Sequence, residues 1–508
     1  MLTAGAVFSD HMVLQRGKAI PIWGKAAPLS EVCVSLDRQT VTGVSQQSGA
    51  WMVHLPATDT ARGLQMTISC GDEKLEFSDI SVGEVWFAGG QSNMELELIN
   101  SMNGEQAVAG SFDPDIRFYM TPKCAVTGTE LVAREAESKW EVCGPDTSAV
   151  MSAVSWYFAK HLRAAMDVPV GIICCAWGGT SISCWMSREQ LMKTAAGVSY
   201  IEEYDALVGD KTEQQYQIEM EQYNREWEAW NARIQEKRRE DPNVSWEVLN
   251  EECGLCPWPQ PAGKQSPFRP AGLFYTMVQR IRPYAIRGFL YYQGEEDEAK
   301  YAGYDWMMVS LISEWRQQWN DDRMPFLFVQ LPMYVAKADA VQGIDNRHWA
   351  MMRDQQMKIS RTVAGTGLAV LTDCGEFDNI HPLDKETVGF RLALQARNKV
   401  YGEDIWADAP VAERADCRDG KAYVYFADTG GFLQVHGDEL SGFEIAGTDG
   451  VFYPAQGKVE VNTVLLWSDQ VMEPVYVRYA WKNFCRPNLY GASGLPAAAF
   501  RTDRFAVF

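Results

Sequence analysis

Hydrophobic and polar positions divide the chain into three segments of different texture. Residues 1–82 alternate short apolar runs with turn-rich pieces and show no helical period, which predicts strands. Between 83 and 407, continuous apolar runs alternate with helix-like segments, which predicts an α/β domain with a mainly parallel sheet. The β texture returns over 408–508. We therefore expect an α/β domain over 83–407 flanked by N-terminal and C-terminal β-sandwich-like regions.

One helical insertion, at about 205–260, interrupts the α/β segment. A helix is predicted over 212–240, with a capping box at Thr212–Gln215 and a stop at Asp241–Pro242. Its apolar residues follow a helical 4-3 spacing, so they share one stripe, which is more typical of a core or partner-facing surface than of sugar stacking. The stripe consists of Tyr216, Met220, Tyr223, Trp227, Trp230 and Ile234.

Composition and charge exclude several classes of protein. Hydrophobic residues make up 46% and charged residues 22% of the 508 residues, which is typical of a globular protein and excludes disorder and fibrous architectures. The 67 acidic residues against 46 basic ones give a net charge of -21, which argues against nucleic acid as a partner. No apolar run reaches the ~20 residues of a membrane helix, so we expect no membrane partner.

The twelve cysteines are scattered, mostly within apolar runs, and do not suggest a disulfide scaffold. Cys253 and Cys256 form a single CxxC pair with no second pair at zinc-ligand spacing, so two free thiols are favoured over a metal or redox site. The first residues reach Asp10 before an apolar stretch can form. We expect no signal peptide, and a cytoplasmic location is favoured, with secretion left open if a leader precedes this chain.

The most informative strand ending is EVWFAGGQSNME. It brings Ser92 directly after a buried strand and the pair Gly89–Gly90, at the sheet edge where ligands bind in open α/β folds. Ser92 would also lie at a helix N-terminus, where free N–H groups favour a developing oxyanion. The alternative interpretation is that Ser92 is simply a helix cap.

A serine nucleophile needs a base, and the best of the six histidines is His381. It lies in a polar loop between a predicted strand and a predicted helix, with Asp378 three residues earlier. A serine, a histidine and an orienting carboxylate are the requirements of acyl transfer. An ordinary loop histidine beside a solvated aspartate remains the alternative.

Two more strands end at the same predicted edge. GIICCAWGGT ends at Gly178–Gly179, whose backbone N–H groups could point into a shared site. GFLYYQGEE ends at Gln293, a polar residue after a strongly apolar strand. Each would be an ordinary turn by itself, but four such endings at one edge predict an active site.

The motifs GQSNM, WGGT, YYQGE and DNIHP, in that order, closely resemble the sialate O-acetylesterase family of SGNH (GDSL-like) hydrolases. The resemblance covers nearly the whole chain and is weakest in the 205–260 insertion. It implies an SGNH-type three-layer α/β/α hydrolase core within 83–407, and it implies no metal and no organic cofactor.

Residue roles follow from this resemblance by position. Ser92 would be the nucleophile, His381 the base and Asp378 its orienting acid, while the N–H groups of Ser92 and Gly179 would form the oxyanion hole. Many relatives have QGESN where this chain has QGEED, so Asp297 stands in place of an asparagine. Because a carboxylate donates no hydrogen bond unless it is protonated, we expect Gln293 to be the third oxyanion donor.

The substrate predicted by the resemblance is an O-acetylated sugar, first of all O-acetylated sialic acid. The candidates for contact with this substrate are Gln91, Asn93, Glu295 and Arg353, although an arginine here is more typical of a surface or structural ion pair than of a ligand contact. Acetylated xylan or another glycan is the alternative substrate. A non-catalytic carbohydrate-binding protein on a hydrolase fold is the alternative function. A homo-oligomer is left open.

Overall fold

The computed structural model describes residues 1–241 and 244–505 of the 508-residue chain. Its N-terminal part consists of short strands, as the alternating pattern predicts. β1, β3 and β6 form a three-stranded sheet, and β4, β5 and β7 join the long strand β8. These strands are β1 (Thr3–Ala4), β2 (Val13–Gln15), β3 (Ile20–Lys25), β4 (Glu31–Leu36), β5 (Gln39–Val44), β6 (Ala50–Leu55), β7 (Ala61–Cys70) and β8 (Glu73–Gly90).

Strand β8 connects the N-terminal region to the central sheet. It pairs antiparallel with β7 as far as Val82 and then, from Glu84 to Gly90, parallel with a central strand. The change of partner falls at the predicted boundary near residue 82, but the strand itself continues across it. One hydrophobic core also contains residues from both sides. The division into 1–82, 83–407 and 408–508 stays a prediction.

The central region alternates helices and strands. Its elements are α1 (Ser92–Glu95), α2 (Gly104–Ala109), β9 (Asp113–Met120), α3 (Thr129–Glu137), β10 (Trp140–Cys143), α4 (Ala153–Met166), β11 (Val170–Ala176), α5 (Arg188–Leu191), α6 (Ala195–Val208), α7 (Glu213–Glu240), α8 (Trp246–Cys253), α9 (Gln279–Ile281), β12 (Gly288–Tyr292), α10 (Tyr301–Gln318), β13 (Phe326–Val329), α11 (Lys337–Val341), α12 (His348–Thr362), β14 (Thr366–Ala369) and α13 (Lys385–Lys399).

The central strands lie in the order β10-β9-β11-β8-β12-β13-β14. All neighbours from β9 to β14 are parallel, and β10 is antiparallel at the edge. Consecutive side chains of β8 contact helices on opposite faces: Trp86 packs on Phe158 of α4, and Phe87 packs on Trp315 of α10. Burial on both faces explains why these strands are continuous apolar runs. The predicted α/β class is confirmed.

The insertion forms helices α6, α7 and α8. The predicted capping box is present, with the Thr212 hydroxyl accepting from Gln215 N at 3.2 Å. Tyr216, Tyr223, Trp230 and Ile234 are buried, whereas Trp227 of the same stripe is 39% exposed. The helix ends at Glu240, and Pro242 of the predicted stop lies outside the described residues.

The C-terminal region is rich in β-structure, as predicted. It forms two four-stranded sheets and one two-stranded sheet around a second hydrophobic core. The strands are β15 (Val411–Arg418), β16 (Lys421–Ala427), β17 (Leu433–Val435), β18 (Phe443–Ala446), β19 (Phe452–Pro454), β20 (Gln456–Glu460), β21 (Thr463–Trp467), β22 (Tyr476–Tyr479), β23 (Leu489–Gly491) and β24 (Phe500–Arg501). Within the described ranges, every helix is too short or too polar to span a bilayer.

Candidate active site

Three strand ends meet where the sequence predicts a site. Gln91 N donates to the Tyr292 carbonyl at 3.1 Å, which joins the ends of β8 and β12. Trp177 N donates to the Gly90 carbonyl at 3.1 Å, which joins the end of β11 to that of β8. Gly90 has a φ of +140°, and a Cβ there would lie 2.1 Å from the Tyr292 oxygen. Only glycine fits this close approach, so the sharp turn before Ser92 depends on it.

Ser92 and His381 form the central contact of the site. Ser92 is the first residue of α1, and its Oγ lies 2.8 Å from His381 Nε2. The loop that carries His381 is held by its own side chains: Asn379 Oδ1 accepts from His381 N at 3.0 Å, and Glu376 Oε1 accepts from Leu383 N at 2.7 Å. A loop fixed in this way presents the imidazole in one orientation.

The electrostatic surroundings keep His381 neutral. Burial of the imidazole, together with the positive charge of Lys385, lowers the pKa of His381 to about 4. At neutral pH the ring therefore carries one proton. With that proton on Nδ1, Nε2 accepts a hydrogen bond from the Ser92 hydroxyl, which is the arrangement that a general base requires.

Asp378 precedes His381 by three residues on the same loop, and its side chain bonds elsewhere. Its backbone is left-handed, with φ +57°. Oδ1 accepts from Lys337 N at 2.8 Å, and Oδ2 accepts from Asn250 Nδ2 of α8 at 3.2 Å. Among the described residues no carboxylate forms a hydrogen bond with His381. Each oxygen of Asp378 nevertheless keeps a lone pair for a further donor.

Two backbone N–H groups beside Ser92 are left unused. Gly178 N donates to Glu95 Oε2 at 2.5 Å, but in residues 1–241 and 244–505 neither Ser92 N nor Gly179 N donates to a protein acceptor. Gly179 has φ +70°, and a Cβ there would lie 2.1 Å from the Trp258 ring. The WGGT turn therefore requires glycine for both backbone and space.

Gln293, predicted as an oxyanion donor, is committed to other partners. Its amide nitrogen donates to the Thr180 carbonyl at 3.2 Å and to Asp297, and its Oε1 accepts from Tyr304 OH at 2.9 Å. Asp297 in turn accepts from Ile182 N at 2.8 Å. Both amide hydrogens are thus engaged in holding the WGGT turn, and the role of Gln293 as an oxyanion donor stays a prediction.

Three predicted substrate contacts are internal in the structure. Asn93 is fully buried and donates to Glu295 Oε1 at 2.6 Å and to the Ile380 carbonyl at 2.9 Å. Glu295 is 5% exposed and Gln91 is 3% exposed, and Gln91 Oε1 accepts from Gly294 N at 3.3 Å. These side chains fasten the GQSN turn to its neighbours.

Lys385 is the functional residue that sequence reasoning missed. It is buried, and its Nζ donates to Asn93 Oδ1 at 2.6 Å. Burial lowers the pKa of Lys385, and burial raises the pKa of Glu295, which faces the same asparagine. A lysine four residues after His381, at the start of an amphipathic helix, was the available signal, but its burial depends on the tertiary fold.

Comparisons with known proteins identify relatives of this chain. A family described as carbohydrate esterase, sialic acid-specific acetylesterase, matches residues 194–393. The sialate O-acetylesterase of Mus musculus is 28% identical over 78% of this chain and 72% of its own length, and that of Homo sapiens is 25% identical over 98% of this chain and 92% of its own. A crystal structure of a carbohydrate acetylesterase from Xanthomonas citri is 30% identical and has a TM-score of 0.78, covering 99% of this chain and 100% of that one.

The chain belongs to the sialic acid-specific acetylesterase family of carbohydrate esterases. As a member of this acetylesterase family, the protein is a carboxylic ester hydrolase. The matched segment 194–393 contains His381 and the insertion, whereas Ser92 and Gly179 precede it. The 2.8 Å contact between Ser92 and His381 brings the two parts together.

The Arg353 side chain bonds to the C-terminal region and the strand-end segment after β13. It is fully buried, and its guanidinium donates to the carbonyls of Pro332 and Ala480, each at 3.4 Å, and to that of Lys482. Arg353 thus joins α12 to the C-terminal β region through backbone carbonyls, and its role as a substrate contact stays a prediction.

All twelve cysteines are free thiols; Cys253 is buried and Cys256 is exposed. The described residues contain no group of three or more His, Cys, Asp or Glu side chains suited to a metal ion.

We predict that His381 titrates well below an ordinary histidine. Its imidazole should stay neutral until the pH approaches about 4, because burial and Lys385 both oppose protonation. Lys385→Met removes the cation and should move the titration to higher pH, whereas Lys160→Met, on the exposed side of α4, should not. NMR of the histidine-labelled protein measures both. A titration of His381 near 6.5 in the unmodified protein would contradict this assignment.

Proposed function

We propose that the protein is a carbohydrate O-acetylesterase that acts through an acetyl-Ser92 intermediate. The observation that carries the proposal is the 2.8 Å contact between Ser92 Oγ and His381 Nε2 at the carboxyl ends of parallel strands. The unused N–H groups of Ser92 and Gly179 support it, since an oxyanion needs such donors.

In the first half-reaction Ser92 Oγ attacks the acetyl carbonyl carbon and its proton passes to His381 Nε2. The carbonyl electron pair moves onto oxygen, and this oxyanion accepts hydrogen bonds from the N–H groups of Ser92 and Gly179. The bond from the carbonyl carbon to the sugar oxygen then breaks, and that oxygen takes the proton from His381. The products are the free sugar hydroxyl and acetyl-Ser92.

In the second half-reaction water replaces the sugar. His381 takes a proton from the water as its oxygen attacks the acetyl carbon, and a second oxyanion forms at the same N–H groups. The bond to Ser92 Oγ breaks and Oγ regains a proton from His381. Acetic acid leaves and loses its remaining proton to the solvent, which gives acetate. A neutral His381 at the start of each half-reaction fits its lowered pKa.

Asp378 is proposed as the orienting acid of this pair. Stabilising the imidazolium that forms in the transition state requires a carboxylate at Nδ1, and Asp378 lies on the same loop. Each of its oxygens accepts from one donor, Lys337 N or Asn250 Nδ2, which leaves a lone pair for His381 Nδ1–H. Gln293 is proposed to support the oxyanion hole by holding the Thr180 carbonyl and with it the WGGT turn.

The hydrolase core is proposed to be of the SGNH type, with three α/β/α layers. The run of parallel neighbours from β9 to β14 and the helices on both faces of β8 support this assignment. Such a fold presents its nucleophile at the carboxyl end of the sheet, where Ser92 lies.

The sugar that carries the ester has two candidate classes. O-acetylated sialic acid is the substrate that the family description names, and it carries a carboxylate of its own. Acetylated xylan or another neutral glycan presents the same acetyl group without that charge. Because the catalytic residues act on the acetyl group alone, the surface beside Ser92 decides between them.

Replacing the nucleophile tests the proposed function. Ser92→Ala should lower kcat/KM for an aryl acetate by about 10⁴-fold or more, because no attacking oxygen remains. Ser101→Ala, whose hydroxyl donates to the Leu98 carbonyl at 2.7 Å, is the control and should keep activity within a few fold. Acetate release and the thermal unfolding of each variant are measured. Full activity in Ser92→Ala would show that Ser92 is not the attacking residue and would contradict the proposal.

A second variant tests the acid. Asp378→Asn should lower kcat/KM by about 10⁴-fold, since an amide cannot stabilise the imidazolium. Asp384→Asn is matched to it, because Asp384 lies on the same loop and caps α13, where asparagine caps equally well. A loss smaller than about tenfold in Asp378→Asn would assign its carboxylate to loop support alone.

A further inference from the structure

A cavity of about 680 Å³ opens beside the WGGT turn and is walled by the helical insertion. Helix α6 contributes Tyr204 and helix α7 contributes Tyr223, while the segment after α8 contributes Trp258 and Phe268. Its size falls within the range of small-molecule sites, and aromatic side chains with a few polar groups are the usual lining of such sites.

The cavity adjoins the reacting serine through two glycines. The Trp258 ring packs directly on Gly179, which borders the cavity. A Cβ on the preceding residue, Gly178, would lie 3.2 Å from Ser92 Cβ. Only the WGGT turn therefore separates a group bound against Trp258 from Ser92. One oligosaccharide can contact Trp258 with one sugar unit and present its acetyl ester to Ser92 with another.

Trp258 is held in place with part of its ring uncovered. Phe268 contacts it edge-on at 5.4 Å between ring centroids, and Tyr223 OH donates to the carbonyl of the preceding Pro257 at 3.0 Å. Even so, 46% of Trp258 is exposed. A fixed, partly exposed indole in a concave wall offers an apolar face to a flat ligand such as a sugar ring.

The charges of the lining oppose an anionic ligand. Lys211 pairs with Glu219 at 2.6 Å and Lys300 pairs with Glu203 at 2.5 Å, so both lysines are already neutralised.

Two further glutamates of the lining, Glu226 and Glu296, have no Lys, Arg or His within 4.0 Å in the part of the chain that the structure describes. Burial and the neighbouring carboxylates Asp297 and Glu295 raise the pKa of Glu296 to about 8, so the unpaired negative charge of the lining is that of Glu226. A sugar carboxylate would meet this charge and no unpaired cation among the described lining residues, whereas sugar hydroxyls can donate hydrogen bonds to both side chains.

We propose that this insertion cavity binds uncharged sugar units of the acetylated substrate, stacked on Trp258, so that the enzyme prefers acetyl esters of neutral oligosaccharides to O-acetylated sialic acid. The inference rests on the proposed esterase function, and it assigns to the insertion the selection of the substrate. Tyr223 belongs to the buried stripe of α7 and also lines the cavity. Helix α7 therefore packs on the domain and contributes to the cavity wall.

The test compares three substrates: an aryl acetate, an acetylated xylo-oligosaccharide and 9-O-acetylated sialic acid. For the unmodified protein, kcat/KM for the xylo-oligosaccharide should exceed that for the sialic acid at least ~10-fold, the scale of discrimination that one favourable contact supplies. An equal or reversed preference would overturn the proposal. Activity of Ser92→Ala on the aryl acetate separately reports failure of the esterase mechanism.

Two variants connect the preference to the cavity. Trp258→Ala should lower kcat/KM for the xylo-oligosaccharide about tenfold more than for the aryl acetate. Trp227→Ala is the matched control, because Trp227 lies on the same insertion, is 39% exposed and does not line the cavity. An equal loss on both substrates in Trp258→Ala would assign Trp258 to support of the WGGT turn and overturn its role in binding.

A charge variant keeps the proposal testable if Trp258→Ala folds poorly. Glu226→Arg changes an exposed position of α7. The ratio of kcat/KM for the sialic acid to kcat/KM for the xylo-oligosaccharide should rise about threefold or more, because the change removes a negative charge and adds a positive one. Glu221→Arg, on the same helix but outside the lining, should leave that ratio unchanged. No change in Glu226→Arg would contradict the electrostatic part of the proposal.

Discussion

The contact between Ser92 and His381 joins residues that are 289 positions apart, and the geometry around it depends on how closely the strand ends approach. Gly90 lets β8 pass against the Tyr292 carbonyl, and Gly179 lets the WGGT turn pass against Trp258. A side chain at either position would displace backbone or an indole ring. The contact between Ser92 and His381 therefore depends on sheet packing, because the parallel strands bring residues that are distant in the sequence to one edge of the sheet.

Beneath this pair lies a buried polar network rather than a solvated pocket. Asn93 accepts from Lys385 and donates to Glu295 and to the Ile380 carbonyl, so one side chain fastens the serine turn to the histidine loop. The cation of Lys385 also opposes protonation of His381. Such a network is worth more than its separate bonds, since each member left unpaired would carry a desolvation cost of about 1–3 kcal/mol.

Much of this arrangement could be predicted from the sequence, because it depends on local patterns. Apolar runs ending in glycines indicated β8 and β11, and the polar loop before α13 indicated His381. Side-chain direction could not be predicted. Gln91, Asn93 and Glu295 lie beside the site in the sequence but point into the protein, and Arg353 bonds to carbonyls of the C-terminal region. The partners of Asp378 come from α8 and from Lys337, which only the tertiary fold brings together.

The central claim is that Ser92, activated by His381, attacks the acetyl carbon. Its most direct test is mass spectrometry of the protein after reaction with an organophosphonate ester, which mimics the tetrahedral intermediate and remains on the attacking residue. We expect the label on Ser92 in the unmodified protein and its loss in His381→Ala. A label on another residue, or labelling of Ser92 at an undiminished rate without His381, would contradict the claim.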